Sequence, residues 1–417
     1  MMQTELVEES EASHHMPAGF DQTENMGESE STGPDGGEDP ESMEAGFFKG
    51  KRPWSKIKDR ILGQYMPPYL AKVAKLGKPI ILIDAFAGPG KFEDGSPGSP
   101  LIICQAAERR VRDSYQAIFV NRKKEHHDQL SYVLSRFIEQ KKVIPIHGTA
   151  DELLAQVRGL LRDHTVFLYL DPFGLKGCEF SVIEPFLRRD KTYSTEIVVN
   201  LSIPTMHRLG ARKAVAAGRT DEPRIRAFHE RLTKVLGGDY WKNILWDDTT
   251  EPEAKAEKVM AVYREKIVGL EEPRAFSGSC PVRERDGSGI KYYVTFYSRH
   301  RDALLLMNDV MCTAYHQRMH QAVTDGTLFA GTDWKDTRDT RTLENIILDA
   351  VRQRPRKSRL DLWLDIVQTA FMRFTRSEYN QAVAKLVKDK KVAFEDVRGT
   401  GRLNDDARLY LTGGESR

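Results

Sequence analysis

Between residues 79 and 200 the chain alternates apolar strand-like runs with helical stretches, and this most narrows what it can become. Pro79 to Phe86, Ala117 to Val120, Val143 to Ile146, Val166 to Leu170 and Glu196 to Asn200 read as strands. Pro100 to Val111, His126 to Glu139, Asp151 to Leu161 and Phe180 to Leu187 read as helices between or after them. Strands and helices at this spacing predict a parallel, doubly wound sheet with helices on both faces. Such sheets take ligands outside the carboxyl ends of their strands.

Two strand ends are unusual. The first reads Ile83-Asp84-Ala85-Phe86-Ala87-Gly88-Pro89-Gly90. Glycine lets a turn reach positive φ and lets a backbone approach a ligand. A helix is expected to start at Ser99, with Pro100 at its first position and an amide-rich end suited to an anionic group. A plain tight connection reads equally well here, with Asp84 a structural acid for loop amides. The second is Leu170-Asp171-Pro172-Phe173-Gly174, a buried-looking strand that stops at a carboxylate. A buried carboxylate needs a partner, so Asp171 either caps a turn or faces a cleft. In a cleft its oxygen and the Pro172 carbonyl could accept the protons of an amine, and Phe173 could stack on a flat base.

D-x-F-x-G-x-G after the first strand and D-P-F-G after the fourth together resemble the layout of Rossmann-like methyltransferases that use S-adenosylmethionine. Asp-Pro-Phe-Gly is similar to the motif of tRNA guanine-N2 dimethyltransferases and related to the D-P-P-Y/F of base amino-methyltransferases. The strings WSKIKDRILGQYMPPYLAKVAK, IDAFAGPGKFEDGSPGSPL, HHDQL, YLDPFGLKG and YYVTFYSRH further resemble the three-Cys-motif partner protein family over residues 50–320. That resemblance implies a methyltransferase-like protein working beside a separate three-cysteine, radical-SAM-like protein. The implied cofactor loop is Asp84, Phe86, Gly88, Gly90, Gly98 and Ser99. The implied catalytic set is Asp171, Pro172, Phe173 and Gly174. One departure stands out: after the second strand such methyltransferases place an acid for the ribose hydroxyls, and here Asn121 occupies that place, so that either cofactor binding is weakened, or Asn121 serves adequately, or Glu125 substitutes. The adenine contact is expected near His147 to Asp151.

Other polar residues read more plainly. Lys56 and Lys58 are expected on a solvated helix face, although a cofactor carboxylate or phosphate is an alternative. His126 and His127 read as surface residues, His147 as a loop histidine and His14-His15 as inert. Cys104, Cys178, Cys280 and Cys312 are far apart, so a zinc site or disulfide framework is not expected and a reducing cytoplasm fits. No metal site is expected. No apolar run approaches the ~20 residues of a membrane span. A phosphate-binding Lys-Ser/Thr does not follow Gly90, which argues against a nucleotide hydrolase.

Charge divides the chain. Residues 1–48 hold 13 acids and no Lys or Arg, which leaves 48 acids against all 63 Lys and Arg in the rest. A body that basic can hold a polyanion by counterion release. Residues 1–47 are expected to form a disordered acidic tail, and 48–203 the Rossmann-like core. Residues 204–268 read as a basic helical insertion bearing Arg208, Arg212, Lys213, Arg219, Arg224, Arg226, Arg231 and Lys234. Residues 269–330 return to the sheet through Ile290 to Tyr297 and the helix Arg301 to Tyr315. Residues 340–417 carry three helical patterns and a hairpin, the order of a winged helix. Its basic residues are Arg376, Lys385, Lys388, Lys390, Lys391, Arg398 and Arg402, and Thr375 with Glu378 suggests a capping box. The expected activity is methylation of an exocyclic amine of a nucleic-acid base, with RNA favoured. The alternative is a catalytically degenerate nucleic-acid- or protein-binding partner of a three-Cys-motif protein in phage defence.

Overall fold

A computed structural model describes residues 53–412 except 160, 271–273 and 285–286; the expected acidic tail lies outside the described residues. Among the described residues ten strands form two sheets: β1 Ile80–Asp84, β2 Tyr115–Asn121, β3 Val143–His147, β4 Thr165–Leu170, β5 Thr195–Ser202, β6 Phe276–Val282, β7 Tyr292–Ser298, β8 Lys357–Ser358, β9 Val392–Glu395 and β10 Arg408–Leu411. The larger sheet runs β3-β2-β1-β4-β5-β7-β6. β1 to β5 pair in parallel, and β7 is antiparallel to both β5 and β6. This is the doubly wound, Rossmann-like sheet. Strand order reverses between β1 and β4, which is where such a sheet opens a crevice.

The order of helices is α1 Pro53–Val73, α2 Ser99–Arg110, α3 Lys124–Val133, α4 Ser135–Glu139, α5 Ala150–Val157 and α6 Phe180–Leu187. After β5 come α7 Ile203–Gly210, α8 Arg212–Ala216, α9 Pro223–Leu236, α10 Trp241–Leu245 and α11 Pro252–Val268. α12 Arg301–Thr324 follows β7; α13 Thr340–Gln353, α14 Arg359–Thr369 and α15 Arg376–Lys388 complete the set.

Period-two alternation sorts the strands onto two cores. Ile81, Ile83, Leu168, Ile197 and Val199 join α5, α6, α9 and α11 on one face. Ile80, Leu82, Phe167, Tyr169 and Val198 join α1, α2 and α12 on the other. α1 continues through Pro67 and Pro68, although proline inside a helix removes a hydrogen bond and disfavours its continuation. Buried Tyr65, Met66, Tyr69 and Leu70 hold the helix to the sheet on both sides of the prolines.

Residues 340–412 form α13 to α15 and the sheet β8-β10-β9 around Leu343, Ile347, Trp363, Val383 and Leu386. The rings of Trp363 and Tyr379 stack there at 4.8 Å. The expected capping box starts α15: Glu378 donates its amide to Thr375 Oγ1, and Thr375 N donates to Glu378 Oε2. α12 ties this module to the larger sheet. Leu304 and Leu305 belong to the module's core while Met307 and Met311 belong to the sheet's. Asn308 Nδ2 donates to Phe374 O at 2.8 Å, and its Oδ1 accepts from Met372 N at 2.8 Å. Phe371 covers Gly278 of β6 so closely that a Cβ there would lie 2.3 Å from the ring.

Candidate active site

β1 and β4 end level, because Asp84 pairs with Tyr169 and Ala85 N donates to Tyr169 O. Asp171 stands two residues beyond Tyr169, so both turn toward the α1 face. Asp84 lies on the same face, between Leu82 and Ala87 of that core. The two acids therefore meet at the switch point, one inside the rim and one at it.

Asp84 is fully buried. Its Oδ1 accepts from Phe86 N at 3.1 Å and its Oδ2 from Ser99 Oγ at 2.6 Å. It thus ties the glycine loop to the start of α2. Ser99 is the first residue of α2 rather than its cap; Gly98 takes the cap position, and the Ser99 hydroxyl is spent on Asp84. Burial pushes the Asp84 carboxyl up to about 7, with the nearby Asp171 charge adding to it and both hydrogen bonds opposing it.

The loop itself is closely packed. Gly90 has φ +81°, and a Cβ there would lie 2.9 Å from Leu130. Gly98 N donates to Gly90 O at 2.9 Å, so the two ends of the loop touch. Gly88 remains partly exposed on the rim. Asn121, at the end of β2, is buried and its Nδ2 donates to Gly88 O at 3.4 Å. Its amide thus braces the loop from behind. His147, exposed at the end of β3, faces the Arg122 carbonyl at 3.1 Å through Nε2. Arg122 and Glu125 are exposed beside it.

At Asp171 the structure corrects the sequence reading of Lys58. That lysine is buried, not solvated: Nζ donates to both oxygens of Asp171, at 2.7 and 2.6 Å. Its neighbour Lys56 is exposed. Ile57, Ile61 and Leu62 are buried around Lys58 on the same helix, so the ammonium is carried inward with them. It also lies 4.6 Å from the centre of the Tyr292 ring. Burial would lower its pKa, but Asp171 and Tyr292 reverse this and hold it above the usual lysine value. Tyr169 OH reaches Asp171 Oδ2 at 3.5 Å and accepts from Asn200 Nδ2 at 3.1 Å. Lys58, Tyr169 and Asn200 are parts of this cluster that sequence motifs alone did not supply. The one available signal was a lysine among the apolar positions of α1.

After Asp171, Pro172 is buried and Phe173 projects its ring at 53% exposure. Gly174 has φ +88° and lies against Thr205 in the first turn of α7. Gly177 has φ +83°, and a Cβ on it would lie 2.8 Å from the ring of Phe86. The two motif loops therefore touch through Phe86 and Gly177, and α7 begins beside them, with Thr205 against Gly174.

Among the described residues, no group of His, Cys, Asp and Glu is placed to hold a metal ion, and no helix is long and apolar enough to cross a membrane. No family model and no curated protein matches the chain. It is similar in structure to an O-methyltransferase from Bacillus cereus, at 12% identity, over 57% of this chain and 80% of that one, with a TM-score of 0.31. A methyltransferase from Geobacter sulfurreducens shares 12% identity over 56% and 77% of the two chains, with a TM-score of 0.27. An rRNA methylase from Streptococcus thermophilus shares 13% over 56% and 94%, with a TM-score of 0.27. TM-scores this far below 0.5 carry no weight for what the chain does.

Proposed function

We propose that this chain is an S-adenosylmethionine-dependent methyltransferase acting on an exocyclic amine of a nucleic-acid base, RNA before DNA. The observation that carries the reading is the contact of the two motif loops, Phe86 against Gly177, at the point where the strand order reverses, with Asp84, Asp171 and Lys58 behind it. Two carboxylates against one ammonium leave an excess of acid, which suits a cationic ligand such as a sulfonium. Gly88 at the rim gives that ligand a backbone to lie on, and Asn121 stands where the ribose would be met. Bound there, S-adenosylmethionine would supply an electrophilic methyl group.

The chain's own residues have distinct tasks. Lys58 uses two hydrogen bonds on Asp171, and a carboxylate has about four acceptor sites. Tyr169 OH takes a further site on Oδ2, so Asp171 Oδ1 is the oxygen that keeps room for an amine proton. The Pro172 carbonyl offers a second acceptor, and Gly174 gives the turn its positive φ. Phe173 offers an exposed ring for stacking, worth about 1–3 kcal/mol per base. Positioning the amine is the main contribution asked of these groups.

The insertion and the C-terminal module, read as a winged helix, would hold the phosphates. Arg208, Lys213, Arg226, Arg231 and Lys234 are exposed on the insertion, whereas Arg212 and Arg219 pair with Asp248 and Glu222. In the module Arg376, Lys385 and Arg398 pair with Asp405, Glu344 and Asp406, and Lys388, Lys390, Lys391 and Arg402 stay exposed. The test is calorimetric titration with S-adenosylmethionine, then tritium transfer to total RNA and DNA with nucleoside mass spectrometry. Binding together with an N-methylated nucleoside supports the reading. Absence of heat and of a thermal shift at millimolar ligand sinks it.

A second reading has one observation in its favour: Asn121 spends its amide on Gly88 O. On that reading the chain binds nucleic acid or a three-Cys-motif partner without turnover, in phage defence. It expects cofactor binding with no label in RNA, DNA or protein, and an Asp171→Asn variant with full biological activity.

A further inference from the structure

α1 and α12 lie antiparallel on one face of the sheet. Lys72 near the end of α1 pairs with Asp302 at the start of α12, at 3.1 Å. Met307, Met311 and Ala314 of α12 pack in the core that α1 closes. The next position on that helical stripe is 318, and it holds an arginine instead of an apolar residue. Opposite it, in the first two turns of α1, is Arg60.

Both arginines are half-buried. Arg60 Nη1 and Arg318 Nε are shut off from solvent without any acceptor. Burial, and then the Arg318 charge beside it, lowers the Arg60 guanidinium below the usual arginine value. Neither makes an ion pair among the described residues. Other half-buried arginines are given acceptors: Arg338 reaches Glu378 and Arg283 reaches Glu253, and Arg189 and Arg299, a second adjoining pair, donate to the backbone carbonyls of His164 and Leu187. Two adjoining guanidiniums that repel each other and keep unmet N–H donors make a poor structural element. They make a good receptor for a phosphate, whose oxygens accept several charge-assisted bonds at once. Arg60 is two residues from Lys58, about 3 Å along the helix axis but on a different face of α1, so the anion would lie on the α12 side of the helix whose other face holds Asp171 through Lys58.

We infer that Arg60 and Arg318 together bind a phosphate group, supplied by the backbone of the nucleic acid whose base is presented to Asp171 and Phe173. The source of the phosphate rests on the function proposed above; the anion site itself does not.

The experiment uses the full chain and the variants Arg60→Gln and Arg318→Gln. Melting is compared in inorganic phosphate and in chloride at matched ionic strength. A labelled single-stranded RNA of about twelve nucleotides is then titrated by anisotropy across a salt series. Phosphate raises the wild-type Tm by a few degrees over chloride, and both variants lose that rise. In chloride Arg318→Gln melts above wild type, because the repulsion is gone; a merely structural arginine would give the opposite sign. RNA affinity falls about tenfold in the variants, and the log–log salt slope shrinks by about 0.7 for the phosphate lost. No phosphate-specific rise in wild type, with unchanged RNA affinity in the variants, overturns the site. A phosphate rise with unchanged RNA affinity keeps the site, assigns it to free phosphate and overturns the nucleic-acid source. A wild type that responds to phosphate but binds no RNA refutes the nucleic-acid function and leaves the anion site standing.

Discussion

At the scale of single residues, the Lys58–Asp171 pair has the most consequences. Lys58 is 7% exposed and Asp171 26%, so each is the other's replacement for water. Removing one partner of a buried pair costs about 3–5 kcal/mol, whereas replacing both by apolar groups can be near neutral. Asp171→Ala is therefore expected to lower stability by about 3 kcal/mol, and Lys58→Met in the same chain to recover most of it. Urea unfolding of the two single variants and the double variant measures the coupling; additive losses would contradict the pairing. Activity tests should accordingly use Asp171→Asn, which keeps the shape. Asp84 gives a second residue-scale expectation. A cationic ligand favours its charged form, so S-adenosylmethionine should bind more tightly as pH rises through about 7. Titration calorimetry at pH 6 and pH 8 reads this, and equal affinities would remove Asp84 from the field felt by the ligand.

At the scale of elements, what was legible and what was not follows from local physics. Five apolar runs gave five parallel strands, because buried parallel strands read as continuous hydrophobic stretches. The motif loops were legible from their glycines and their carboxylates. β6 was not. Its sequence, Phe276-Ser277-Gly278-Ser279-Cys280-Pro281-Val282, lacks the β-branched density of a strand, and an edge position is where Pro is tolerated. Lys58 was not legible either, since a lysine on a helix is nearly always solvated and only the distant Asp171 reverses that. Gly278 supplies a test. A Gly278→Ala side chain would collide with the ring of Phe371, so the variant should unseat the C-terminal module and speed proteolysis between residues 325 and 340. A double variant with Phe371→Ala should regain protection; if Gly278→Ala alone is cleaved no faster than wild type, the seat is not what holds the module.

At the scale of the whole molecule, stability should fall as pH rises from acid toward neutral. Asp84 and Glu196 are buried carboxyls raised to about 7 and about 8 from ordinary values near 4. Burial is the leading cause for both. Between about pH 4 and pH 8 the folded state then holds protons that the unfolded chain has lost, and stability declines with pH across that window. Melting temperatures at fixed ionic strength should be higher at pH 5.5 than at pH 8, and Asp84→Asn should flatten its share of the slope. A profile that instead climbs steadily through this range would contradict the burial of both acids. α12 carries a different whole-molecule consequence. One length of helix supplies side chains to two hydrophobic interiors, so neither interior can melt while the other keeps its share of that helix intact. Calorimetry of the chain should record a single endotherm, and a protein trimmed after residue 330 would keep α12 while stripping Leu304 and Leu305 of their cover, leaving greasy surface that draws such molecules into clumps.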